Sequence, residues 1–155
     1  MVKMKSVTQE LRTIVEVFNH KFAVLSDEEF SAKPLPQKWS KKEVVGHLID
    51  SAQNNLRRFI CGQYEQTPST IVYDQDFWVH CNNYQQMEKA DVITLWTLMN
   101  KRIAAVLDNM PEENYSKQSM TSEPHTLEWL AQDYVRHLKH HINQVISGSF
   151  DIVYK

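Results

Sequence analysis

Apolar residues recur at three- and four-residue steps in four separate stretches of this 155-residue chain. In the first, Val7, Leu11, Ile14, Val15, Phe18, Phe22 and Leu25 line one helical face. That predicts a helix from about Val7 to Leu25. Ser6 followed by Gln9 reads as its capping box, and Ser26 followed by Glu29 as the cap of a short extra turn. The run "KPLPQ" at 33–37 then breaks any helix. A second helix opens at Ser40, which pairs with Glu43 as a capping box, while Trp39 and Val44 fit a hydrophobic staple. Its apolar face holds Val44, Val45, Leu48, Ala52, Leu56 and Phe59.

The third stripe, Val92, Leu95, Trp96, Met99, Ile103, Val106 and Leu107, predicts a helix from about Asp91 to Asn109. The fourth, Leu127, Leu130, Tyr134, Leu138, His141 and Val145, predicts one from about Leu127 to Ser147, with Gly148 as its stop. Between the second and third helices, Gly62 to Lys89 is polar and aromatic and shows no long stripe. It reads as a long irregular loop carrying a short helix, and loops of that size in a compact domain are more often functional than idle. Four stripes of this length are buried most simply in an all-α four-helix bundle, with residues 1–155 forming one domain and no substantial sheet.

Composition narrows the partners. The formal net charge is −2 with histidines neutral, and no basic stripe exists, which argues against a nucleic-acid surface. No apolar run approaches the roughly 20 residues needed to span a bilayer. The N-terminal "MVKMKSVTQELRT" lacks the apolar segment of a secretory signal. Cys61 and Cys81 have no CxxC spacing; a reduced pair in a cytoplasmic protein is the default reading, with a disulfide as the alternative.

The stretch "DYVRHLKHHINQV" at 133–145 carries the chemistry. At 100° per residue His137 and His141 lie on or beside the inward face, one turn apart, while His140 lies with Asp133, Arg136 and Asn143 on the outward one. Two imidazoles four residues apart on a helix can converge on one metal ion. The glutamate of HExxH is missing, because Leu138 stands there, and no Glu-x-x-His occurs. Zincin and di-iron readings are therefore disfavoured. A third ligand would come from His47, which shares a polar stripe with Ser51, Asn54 and Arg58. Periodicity alone reads that stripe as solvent-facing; the alternative is that it lines a cleft at the bundle. His20, His80 and His125 have no partner at helical spacing and read as surface or loop residues.

Three segments resemble the DinB/YfiT-like superfamily of metal-binding helical bundles: "KWSKKEVVGHLIDSAQNNLRRF" at 38–59, "VYDQDFWV" at 72–79 and "TLEWLAQDYVRHLKHHINQV" at 126–145. The family pattern has one histidine in the second bundle helix and an HxxxH pair in the last. Here those positions are His47, His137 and His141. The resemblance implies a bundle with a variant of up-and-down connectivity, a metal near one end, and a homodimer. Characterised members include thiol transferases that use bacillithiol or mycothiol and a mycothiol-dependent isomerase.

A three-histidine site would hold a divalent transition metal, zinc or nickel first and iron next, with at least one position open. Such an ion would activate a small thiol or a water against a small-molecule substrate. Asp133, one turn before His137, is a candidate to accept its free N–H, or is simply solvated. Asp50, Asn54 and Arg58 are candidates for substrate contact, and Tyr73, Asp74 and Trp78 for shaping the cleft. Neither cysteine stands beside a candidate base. The competing reading is a non-catalytic bundle that binds metal for stability or docks a partner.

Overall fold

The computed structural model describes residues 4–154. Six helices follow one another: α1 (Met4–Ala23), α2 (Asp27–Ser31), α3 (Lys41–Tyr64), α4 (Gln75–Asn82), α5 (Lys89–Asn109) and α6 (Leu127–Val145). A small hairpin of β1 (Gln118–Met120) and β2 (Pro124–Thr126) precedes α6, with Ser119 opposite His125. The long helices α1, α3, α5 and α6 form a four-helix bundle, and the predicted all-α class holds.

Local sequence explains most of the ends. Ser40 accepts from the Glu43 amide while Glu43 accepts from the Ser40 amide, completing the capping box. Ser26 caps α2 through the Glu29 amide. Asp74 caps α4 through Phe77, and Thr126 caps α6 through Trp129. The Ser6 capping box does not form, because α1 has already begun at Met4 and Ser6 lies inside it. α6 ends at Val145, two residues before the expected Ser147. Gly148 then takes φ 76°, a left-handed conformation that costs glycine little, and turns the tail back along α6. Asn143 holds that tail by both donating to and accepting from the Phe150 backbone, at 2.9 Å each.

Packing sets the order of the bundle. α1 packs on α5 and α6, and α3 packs on the same two helices. The cyclic order is therefore α1, α5, α3, α6, with the successive bundle helices α1 and α3 on a diagonal. A simple up-and-down bundle would make them neighbours. The core runs through Leu11, Phe22, Phe59, Trp96, Ile103, Leu107, Leu138 and Ile142, all buried, with the Phe22 ring set edge-on to Trp96 at 5.1 Å.

α3 is covered on more sides than its neighbours, since α2 and α4 pack on it as well as α5 and α6. The 3-10 turn Tyr84–Gln86 locks against its first half. Tyr84 lies directly on Gly46, where a Cβ would fall 2.1 Å from the ring. Its hydroxyl donates to Asp50 Oδ1 at 2.6 Å, and Asn82 donates to the same oxygen at 3.0 Å. Lys42 donates to the Met87 carbonyl at 2.7 Å. Asp50 Oδ2 is buried with no partner among the described residues. Burial therefore raises the Asp50 pKa from 3.8 to about 6, against the opposing pull of the Tyr84 hydrogen bond.

Two outcomes follow. Gly46→Ala pushes Tyr84 off the helix and should lower stability by about 1–3 kcal/mol, the usual range for overpacking, as read by urea unfolding. An unchanged midpoint would show that this contact has slack. For Asp50, the folded state binds a proton that the unfolded state has already lost between pH 3.8 and about 6. Relative to Asp50→Asn, the natural protein should therefore lose stability as pH rises through that window and then level off. A difference independent of pH would refute the raised pKa.

Candidate metal centre

Three helical positions bring the histidines together. His47 sits two turns into α3; His137 and His141 stand one turn apart on α6, which packs along α3. Their ligand nitrogens all lie within 4.8 Å of one another. The Nε2 atoms of His47 and His137 face each other at 3.4 Å. For comparison, two nitrogens about 2.1 Å from a common tetrahedral ion stand about 3.4 Å apart. The His141 ring centre is 4.5 Å from each of the other two. His140 lies outside the cluster, as its helical face predicts. It is half-buried rather than solvated, however, with the Tyr154 ring 5.4 Å away.

His47 decides between the two readings of the α3 stripe. It is 1% exposed, so the stripe is internal and not a solvent face. The Trp39 ring covers it at 5.0 Å. Its Nδ1 is buried without a hydrogen-bond partner among the described residues. His137 Nδ1 stands 3.5 Å from Ser51 Oγ, and His141 Nδ1 donates to Gln144 Oε1 at 2.8 Å. The latter bond leaves His141 Nε2 as the nitrogen with a free lone pair.

Electrostatics keep this cluster neutral. Burial holds His47 down to about 3, and the neighbouring His141 lowers it further. His137 lies well below the ordinary imidazole value, first through burial and then through His141 and His47. His141 is lowered by burial, partly offset by its bond to Gln144. Neutral imidazoles are the form that ligates metal, so the donor set fits a divalent ion.

A cavity of about 230 Å³ opens beside His137. α3 contributes Ser51, Asn55 and Arg58 to its wall; α6 contributes Trp129, Leu130, Asp133 and Tyr134. Tyr73 comes from the middle loop, Thr121 and His125 from the hairpin region, and Tyr154 from the tail. Ile71 ties these parts together. Its amide donates to Met120 O at 2.9 Å, and its carbonyl accepts from Arg58 Nε at 3.2 Å.

The other predicted residues divide. Arg58 lines the cavity and is 9% exposed. Asp133 also lines it but bonds Arg136 and the Tyr154 hydroxyl, both at 3.1 Å, rather than His137. The residue beside His137 is Ser51. Asp50 lies away from the cavity, committed to Tyr84. Asn54 turns its amide back onto the Asp50 carbonyl at 2.9 Å, and the adjacent Asn55 faces the cavity instead. A stripe read as 47, 51, 54, 58 is thus 47, 51, 55, 58. In the middle loop Tyr73 reaches the cavity, Asp74 is the α4 cap, and Trp78 backs Tyr73 at 5.7 Å.

Besides Asn55, sequence reasoning passed over Thr121, His125, Trp129 and Tyr154 in the cavity wall. His125, read as a loop residue, stacks on Trp129 at 3.8 Å; the four-residue offset across the start of α6 was a faint signal for it. Tyr154 left none, because the tail has no periodicity. It sits 5.6 Å from the His137 ring, and burial pushes its hydroxyl up to about 12.

Comparison with known proteins agrees with this architecture. The chain is 26% identical over 145 residues to the Bacillus subtilis (strain 168) protein named "Putative metal-dependent hydrolase YfiT", spanning 92% of this chain and 78% of that protein. The solved structure of YfiT from Bacillus subtilis, described as having an unusual four-helix bundle topology, superposes with a TM-score of 0.84 at 23% identity, covering 94% of this chain and 86% of that one. A mutant form of the mycothiol-dependent maleylpyruvate isomerase shares the fold at a TM-score of 0.75 and 10% identity, over 91% of this chain and 60% of that one. No helix of the described residues is long and apolar enough to cross a membrane. The sequence model of the DinB superfamily matches residues 10–145, and this chain belongs to that superfamily.

Proposed function

We propose that this protein is a metal-dependent enzyme in which His47, His137 and His141 hold a divalent transition metal, with zinc and nickel ahead of iron. The observation that carries this reading is the convergence of three neutral imidazoles, with ligand atoms within 4.8 Å, at the edge of a polar cavity. Among the described residues no carboxylate or thiol joins the cluster. An all-imidazole set leaves the ion's charge uncompensated and coordination positions open to an exogenous ligand. A bound ion would supply Lewis acidity, lowering the pKa of an incoming water or small thiol toward neutrality.

The chain's own residues supply position and environment. Gln144 accepts the Nδ1–H of His141, and Ser51 Oγ stands where it would accept that of His137 in the ligating tautomer, which would aim both Nε2 lone pairs into the cluster. Trp39 shields His47 from water. Tyr73, Arg58 and Asp133 give the substrate a polar wall beside His137. Neither cysteine lines the cavity: Cys61 is half-buried beside Tyr64, and Cys81 is exposed. On this reading the nucleophile is an exogenous ligand of the ion. Water is supported by the hydrolase name of the Bacillus subtilis relative. A low-molecular-weight thiol is the second reading, supported by the fold shared with the mycothiol-dependent isomerase.

Metal content and turnover test the proposal together. Zinc- or nickel-loaded protein should bind the ion stoichiometrically. It should turn over a model ester or a model electrophile, the latter only when a thiol is added. His137→Ala should abolish binding and turnover while the helical circular dichroism signal persists. Ser51→Ala should weaken metal affinity by about 10- to 100-fold, the usual effect of removing a partner of a ligating histidine. Turnover that survives both chelation and His137→Ala would reject the mechanism. Stoichiometric metal with no turnover across a broad substrate screen would favour a non-catalytic bundle.

A further inference from the structure

Arg58 is a buried cation with no carboxylate in direct contact, and Asp133 acts on it only from farther along the cavity wall. Among the described residues no carboxylate oxygen lies within ion-pair distance of it. It is 9% exposed and lies in the wall of the cavity beside His137. Its Nε and one terminal nitrogen donate to the Ile71 carbonyl, and the other terminal nitrogen donates to Asn55 Oδ1 at 3.2 Å. Those bonds use three of the five guanidinium N–H groups, leaving one on each terminal nitrogen. They also fix the plane of the group. A buried charge held this rigidly, with donors to spare, is suited to receive a group of opposite sign.

We propose that Arg58 anchors the carboxylate of a small acid, which is the substrate or co-substrate of the metal centre. The inference rests on the reading of this cavity as the substrate cavity. The two remaining N–H groups can donate to carboxylate oxygens. The cavity, at about 230 Å³, lies below the roughly 300–1,000 Å³ that holds a drug-sized ligand, so the acid is short. Asp133 shares the wall, although Arg136 and Tyr154 engage its carboxylate. A second anionic group there favours a monoanion over a phosphate dianion.

The test uses metal-free protein with benzoate and butyrate as probes, benzamide and butyramide as neutral counterparts, and inorganic phosphate as the competing anion. Binding is followed by the NMR shifts of Trp129 and Tyr73, and metal content is measured on the same sample. Both acids should bind saturably, with the amides at least about tenfold weaker, the size expected for losing a charge-assisted pair. Arg58→Gln should weaken acid binding by a similar factor and leave amide binding unchanged. If that variant fails to fold, the acid–amide comparison on the natural protein still decides. Equal binding of acid and amide, no saturable acid binding, or binding of phosphate alone would overturn the assignment. Acid binding that appears only after metal loading would place the carboxylate on the ion and also overturn it. Failure of the metal reading would show separately, as protein that takes up no metal yet binds the acids through Arg58.

Discussion

Burying polar side chains along one face of a helix costs free energy unless each finds a partner. α3 does this with His47, Ser51, Asn55 and Arg58, all buried. Ser51 and Asn55 find partners within the helix, and three of the five Arg58 N–H groups are bonded. Asn55 donates to the Ser51 carbonyl at 2.9 Å and accepts from Arg58, and Arg58 donates to Ile71. His47 is the exception: one ring nitrogen has no partner and the other faces a second imidazole. The proposed metal resolves that exception, because an ion turns opposed lone pairs from a defect into a ligand set.

The diagonal placement of α1 and α3 explains how the stripe comes to be internal. α3 has α5 on one side and α6 on the other, and the segment from α4 to Met87 closes over it. Tyr84, Gly46 and Asp50 hold that cover in place. The long connections of this ring order are also what build the cavity. The α5–α6 connection supplies the hairpin with His125, the α3–α5 connection supplies Tyr73, and the tail that turns at Gly148 supplies Tyr154.

The bundle was legible in the sequence because its helices obey local rules. Each buried stripe has a helical period, and the Ser40 and Ser26 caps carry their own signatures. The histidine pair on α6 was legible for the same reason: a four-residue step is a geometric statement. The stripe on α3 was not, since a polar face looks alike whether water or a cavity lies against it. Only tertiary packing makes His47 internal, and only packing turns Asn55 rather than Asn54 into the cavity. Asp50 had the appearance of polar surface because its partner, Tyr84, is 34 residues away. Ser6 misled in the opposite sense: a capping pattern was present, but the helix had already started.

X-ray absorption at the metal edge of zinc- or nickel-loaded protein tests the central claim most directly, because it reports the donors themselves. The account predicts a light-atom shell that includes three imidazoles, at about 2.0–2.1 Å for zinc, with the imidazole scattering reduced in His47→Ala. A sulfur shell, or an imidazole count unchanged in His47→Ala, would contradict it.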